Sequence, residues 1–180
     1  MKFYDPIDLF LGPYKAAIMK NKYSFLLLIS IMLFICSRVN SQSGKVPPFQ
    51  IMLYNGKIFK AQNLPLEKSI IIMYFSPECE ECQQFTEELI TRMDDFQNAS
   101  IAMITYLPVE KVKQFVSLNR LDKYSNIFVG TEGNSLFVRN YFNILQFPFV
   151  ALYNKDGVLI KRYYSTEINL IDLINRLKGF

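Results

Sequence analysis

The stretch "SPECEEC", residues 76–82, sets Cys79 and Cys82 three positions apart, with Glu80 and Glu81 between them and Glu78 just before. A thiol pair at that spacing could be a redox switch, half of a metal site, or two core residues. The chain has no histidine. Two thiolates alone complete neither a zinc site nor a soft-ligand copper site, so no metal and no cofactor is expected. The missing histidine also argues against conventional serine-, cysteine- or histidine-dependent hydrolysis. The choice between redox chemistry and core packing rests on where the backbone places the two sulfurs.

The 180 residues fit one domain, and an apolar content of 51% is enough to fill its core. Residues 1–41 hold five of the 20 basic residues and two of the 16 acids, so the remainder carries 15 basic against 14 acidic side chains. That near-neutral remainder has no basic stripe to track phosphates, and nucleic acid is not an expected partner.

The front end reads as a targeting segment. "YSFLLLISIMLFIC", residues 23–36, is 14 residues without a charge, and Lys20 and Lys22 precede it. It is short for a membrane span of ~20 residues and suits the apolar region of a secretory signal. Read from Met19, the layout is complete, which makes residues 1–18 an upstream extension. "VNS" at 39–41 offers a cleavage site, Cys36 a weaker lipidation site, and retention as an anchor is the third outcome. Residues 1–41 are thus expected to be extension plus signal or anchor, and 42–180 a domain in an extracytoplasmic space such as the periplasm.

Export leaves the domain only Cys79 and Cys82. A bridge over two intervening residues removes little chain entropy, so stability is a poor reason for the pair.

The elements that must position the pair alternate along the chain. Asn55-Gly56 marks a hairpin between "FQIMLY" and "KIFKA". "SIIIMYF" (69–75) and "ASIAMITYL" (99–107) read as strands buried on both faces. A helix is predicted from Cys79 to about Phe96, and a second from Pro108, with proline at its first position. "NIFVG" (126–130) reads as a strand and "SLFVRNYFNI" (135–144) as a helix. "FPFVALYN" and "GVLIKRYY" form a hairpin around "KDG", and an amphipathic helix capped by Ser165 or Thr166 closes the chain. This order predicts an α/β domain with a mixed sheet covered by helices on both faces.

On that frame Cys82, Phe85, Leu89, Met93 and Phe96 share one helix face, which puts Cys82 in the core-facing stripe. Cys79 falls at the helix start, where free N–H groups and the helix dipole favour a thiolate. The expected division of labour is Cys79 as attacking nucleophile and Cys82 as shielded resolving thiol.

Residues 46–180 resemble the thioredoxin-like extracytoplasmic redoxins of the TlpA/ResA type, within the AhpC/TSA-redoxin superfamily. The resemblance rests on the opening hairpin "FQIMLYNGKIF", the strand-to-helix "YFSPECEEC" and the segment "FPFVALYNKDGVLIKRY". It implies a thioredoxin-like fold, dithiol–disulfide exchange, Pro148 as the family's cis-proline, and "NIFVG" with its helix as the insert ahead of it. The chain departs from the pattern in having no tryptophan, in the large Phe147 before Pro148, and in lacking a carboxylate within 69–75. The resemblance offers Glu80, directly after the first cysteine, as the group that takes the Cys82 proton. As a helix-start acid Glu80 could equally be solvated.

Glu78, Glu80 and Glu81 oppose thiolate formation by ~0.5–2 kcal/mol each at ~7 Å, which points to a reductase-leaning couple. Protein disulfides are then the expected substrates, with a membrane-associated electron donor. A peroxiredoxin is a weaker reading: Ser76 sits three before Cys79, but Ile72 stands where its proline belongs. The non-enzymatic alternative is a docking module using Tyr74, Phe75, Phe147 and Phe149, although aromatics at such positions are more often strand core. Glu87, Glu88, Asp94 and Asp95 read as the solvated face of the first helix.

Overall fold

The computed structural model of the chain describes residues 44–65 and 67–179. The expected start at Met19, the apolar run 23–36, Cys36 and the site at 39–41 lie outside the described residues.

Seven strands form one sheet: β1 (Gln50–Leu53), β2 (Ile58–Lys60), β3 (Ser69–Tyr74), β4 (Ala99–Thr105), β5 (Ile127–Thr131), β6 (Phe149–Tyr153) and β7 (Leu159–Tyr164). Their order is β2-β1-β5-β4-β3-β6-β7. The central β5, β4 and β3 are parallel, and the outer strands run antiparallel to their neighbours. Among the described residues the α-helices are α1 (Glu80–Thr91), α2 (Val109–Asn119), α3 (Phe137–Phe142) and α4 (Leu170–Lys178).

The apolar run of β3 is buried on both faces because alternate residues serve two cores. Ile71, Met73 and Phe75 pack with Cys82, Phe85 and Leu89 of α1, Val112 and Phe115 of α2, and Leu173 and Ile174 of α4. Ile70, Ile72 and Tyr74 face Val138 and Phe142 of α3 and Phe49 and Ile51 of the first hairpin. The expected mixed sheet with helices on both faces is what forms.

Gly56 at φ +83 turns the first hairpin. Gly130 answers a different need: a Cβ there would meet the Met52 carbonyl oxygen at 2.7 Å and Ile51 Cδ1 at 2.9 Å. It lets β1 lie against β5 in the register Leu53↔Gly130. Gly130→Ala should therefore destabilise the domain by about 1–3 kcal/mol, as overpacking does. Urea unfolding checks this, and an unchanged midpoint would show that β1 yields freely.

Three element boundaries differ from the sequence reading. The first helix stops at Thr91, where the Thr91 hydroxyl donates to the Glu88 carbonyl (2.7 Å). A 3-10 turn, Met93–Phe96, then continues the buried stripe. Pro108 is the residue before α2 rather than its first. The last helix is capped by Asn169, whose side-chain oxygen accepts from Ile171 and Asp172 N–H. Ser165 cannot cap it, because it sits at φ +38 in a 3-10 turn with its N–H held by the Pro148 carbonyl at 2.8 Å.

On α4, Asp172 accepts from the Tyr163 hydroxyl (2.8 Å), Lys161 Nζ (3.0 Å) and Arg176 Nε (3.1 Å). These donors, the Tyr163 hydroxyl foremost, hold its carboxyl well below the usual carboxylate range. A depressed folded-state value gives stability that is present above the unfolded value, ~3.9, and lost as pH falls toward the folded one. With Asp172 partly solvated, the contribution is about 1 kcal/mol. Asp172→Asn should be less stable than the natural chain at pH 7, with the gap closing below about pH 3. A gap that widened on acidification would contradict this.

Candidate active site

The strand-to-helix junction after β3 is built by Ser76. Its carbonyl accepts from the Cys79 N–H (3.1 Å), and its buried hydroxyl accepts from the Glu78 N–H (3.3 Å). This turn carries the chain from the buried strand to the surface, and α1 starts there. Cys79 is the N-cap of α1, with extended backbone at φ −91 and ψ 123, and its sulfur accepts the Cys82 N–H at 3.2 Å. Serine and aspartate commonly make this capping bond; here a sulfur does.

Cys82 lies one turn in and is fully buried, whereas Cys79 is partly exposed. Both are free thiols, and Cys82 Sγ donates to Cys79 Sγ at 2.6 Å. Burial first, then this hydrogen bond, push the Cys82 thiol well above the ordinary thiol range. The inner sulfur is thus held protonated and shielded, facing an outer sulfur that is open to solvent.

The three carboxylates of the motif go to three different places. Glu78 pairs with Lys111 of α2, Oε1 to Nζ 2.8 Å, which offsets much of its charge. Glu80, the proton acceptor implied by the resemblance, is exposed and accepts from the Gln84 side chain at 3.2 Å. Glu81 is the carboxylate that meets the cysteines: Cys79 Sγ donates to its Oε2 at 3.4 Å.

Pro148 is buried after a cis Phe147–Pro148 peptide. Together with Glu81, Phe85, Ser165 and Ile168 it lines a cleft of about 180 Å³ beside α1. Phe147 stacks near Tyr106 (6.0 Å between centroids) and Tyr74 (5.8 Å), and the Arg139 guanidinium lies 5.5 Å from both the Phe147 and Tyr106 rings. Tyr74, Phe75 and Phe149 are fully buried, so three of the four aromatics considered for docking are core.

A buried carboxylate that sequence reasoning missed supports this loop from the α3 side of the sheet. Glu132 accepts from the Tyr74 hydroxyl (2.7 Å) and from the backbone N–H of Val138 (2.7 Å) and Arg139 (3.4 Å). It joins the end of β3, which leads into the cysteine turn, to the start of α3, which leads into the Pro148 loop. Its partner Tyr74 is 58 residues away, and no local pattern would have announced it.

No family model matches the sequence, and no curated protein matches it. Solved structures do. A secreted Mycobacterium tuberculosis disulfide oxidoreductase, described as homologous to E. coli DsbE, superposes with a TM-score of 0.61 at 17% identity, covering 74% of this chain and 96% of that one. A putative thioredoxin from Neisseria meningitidis gives 0.62 at 22% identity, covering 78% and 90%. The peroxidoxin BcpB of M. tuberculosis gives 0.65 at 14% identity, covering 76% and 96%. At these identities the likeness establishes the fold: the domain has the thioredoxin fold.

Proposed function

We propose that this thioredoxin-fold domain is a dithiol–disulfide oxidoreductase of the TlpA/ResA type that reduces protein disulfides in an extracytoplasmic compartment. The observation that carries the reading is the asymmetry of the pair: Cys79 capping α1 with a partly exposed sulfur, and Cys82 buried 2.6 Å beneath it. The outer thiolate attacks a substrate disulfide and forms a mixed disulfide. Cys82 then attacks the Cys79 sulfur, closes the Cys79–Cys82 bridge and releases the reduced substrate. Pro148 forms the wall against which the substrate segment lies during this exchange.

The neighbours described as disulfide oxidoreductases support the chemistry. Export is supported by the apolar run 23–36 and its basic flank. The reducing direction is supported by the motif carboxylates, Glu81 above all, since it lies against the outer sulfur. A membrane-associated donor would regenerate the dithiol. The reduction potential is accordingly expected well below the roughly −120 mV of the strong periplasmic oxidants; equilibration against glutathione that returned a value near that figure would overturn the direction. The activity itself is tested by insulin reduction in the presence of a small-thiol reductant. Acceleration of insulin precipitation is expected, and a rate equal to the reductant alone would leave the domain a docking module.

A further inference from the structure

We infer that Glu81 is the base and acid of the exchange at Cys79, taking its proton as the sulfur attacks and returning it to the leaving thiol. This rests on the oxidoreductase reading and adds to it a residue that the spacing of the motif does not single out.

On a regular helix, residues two apart point in different directions. Cys79 escapes that rule because its backbone is extended rather than helical. Its side chain folds back over the first turn of α1, takes the Cys82 N–H, and comes to rest beside the Glu81 carboxylate. The Cys79 sulfur then has three polar contacts. It accepts from the Cys82 N–H at 3.2 Å and from the Cys82 thiol at 2.6 Å. Its own proton points to Glu81 Oε2 at 3.4 Å, within the reach of a thiol donor. Among the described residues, Glu81 is the acceptor that this proton meets.

The surroundings keep Glu81 available. Glu78 is engaged by Lys111 and Glu80 by Gln84, while no ion pair involves Glu81 among the described residues. The elements facing it across the cleft contribute Pro148, Ser165, Thr166 and Ile168, none of them charged, and α1 adds Gln84, Phe85 and the acidic Glu88. Glu81 also lies in the first turn of α1, with no cation within one turn along the chain that would hold its carboxylate away from the Cys79 sulfur. Cys82 is held protonated by burial and cannot serve as that base.

The step balances. The Cys79 proton passes to the Glu81 carboxylate, and the thiolate attacks one sulfur of the substrate disulfide. The substrate S–S bond breaks, its leaving thiolate takes the proton from Glu81, and a Cys79–substrate mixed disulfide remains. Attack by Cys82 then transfers its own proton to the second substrate sulfur. Two electrons and two protons leave the dithiol, and the substrate disulfide receives both.

The test is the rate at which the fully reduced chain reduces insulin, for the natural sequence, Glu81→Gln, Glu81→Asp and Glu80→Gln, from about pH 5.5 to 9.5. Glu81→Gln should slow the reaction about 10–100-fold near neutral pH, within or below the usual span of acid–base contributions. The gap should narrow toward the alkaline end, where hydroxide can remove the proton unaided. Glu81→Asp should restore part of the rate. A Glu81→Gln rate equal to or above the natural one at every pH would overturn the inference, since a carboxylate that only repels the thiolate gives that sign. So would a loss carried by Glu80→Gln in its place. An inactive natural chain would instead remove the oxidoreductase reading, a result the variants cannot imitate.

Discussion

Cys79→Ser is expected to abolish disulfide reduction, while Cys82→Ser is expected to keep the attack and lose the release. A serine hydroxyl at the α1 N-cap can still accept the Cys82 N–H, so the helix start should survive and the loss should be chemical rather than structural. Without the outer thiolate, the remaining sulfur is fully buried and protein substrates do not reach it. Turnover should fall more than ~10³-fold, as it does when a nucleophile is removed. In Cys82→Ser the outer sulfur remains, and no inner thiol is left to displace the captured partner. A stable mixed disulfide through Cys79 should accumulate, visible as a reductant-sensitive mass shift. Trapping through Cys82 in the Cys79→Ser chain would reverse the assigned roles.

The second large effect concerns stability. Glu132 is 9% exposed and satisfies the Tyr74 hydroxyl and the Val138 N–H, both at 2.7 Å. Glu132→Ala leaves these two donors without an acceptor in a site largely closed to water. Each orphaned group costs about 1–3 kcal/mol, so the total should reach about 3–5 kcal/mol. Glu132→Gln keeps one acceptor oxygen and should cost less, about 1–2 kcal/mol, the tyrosine hydroxyl being free to turn and accept. Tyr74→Phe removes a donor and should fall at or below the glutamine variant. Urea unfolding of the three variants gives the ranking; an alanine variant within 1 kcal/mol of the natural chain would mean that water replaces the carboxylate. Because this network joins the end of β3 to α3, its loss should also loosen the Phe147–Pro148 loop opposite the cysteines.

Much of the fold was legible because its signals are local. Asn55-Gly56 specifies a hairpin by the conformation of two residues, and the unbroken run Ile70–Phe75 admits little but a strand buried on both faces. Cys82 was placed in the core by its spacing to Phe85, Leu89, Met93 and Phe96. The helix ends were less legible. Ser165 and Thr166 looked like caps by type, yet Asn169, directly before the periodic "LIDLINRL", takes that place because the Pro148 carbonyl fixes Ser165 elsewhere. Within the site, which of three glutamates meets the sulfur depends on the extended backbone of Cys79, and no helical spacing rule could reveal it. Glu132 was invisible for a further reason. An acid in "VGTEGN" reads as a loop residue until β3 brings Tyr74 to it from the other half of the chain.

The assigned roles are tested most directly by competitive alkylation of the fully reduced native protein, followed by peptide mapping. Cys79 should be labelled first, with Cys82 following only slowly or on unfolding. Faster labelling of Cys82, or equal rates at the two positions, would contradict the account of an open outer sulfur over a shielded inner one.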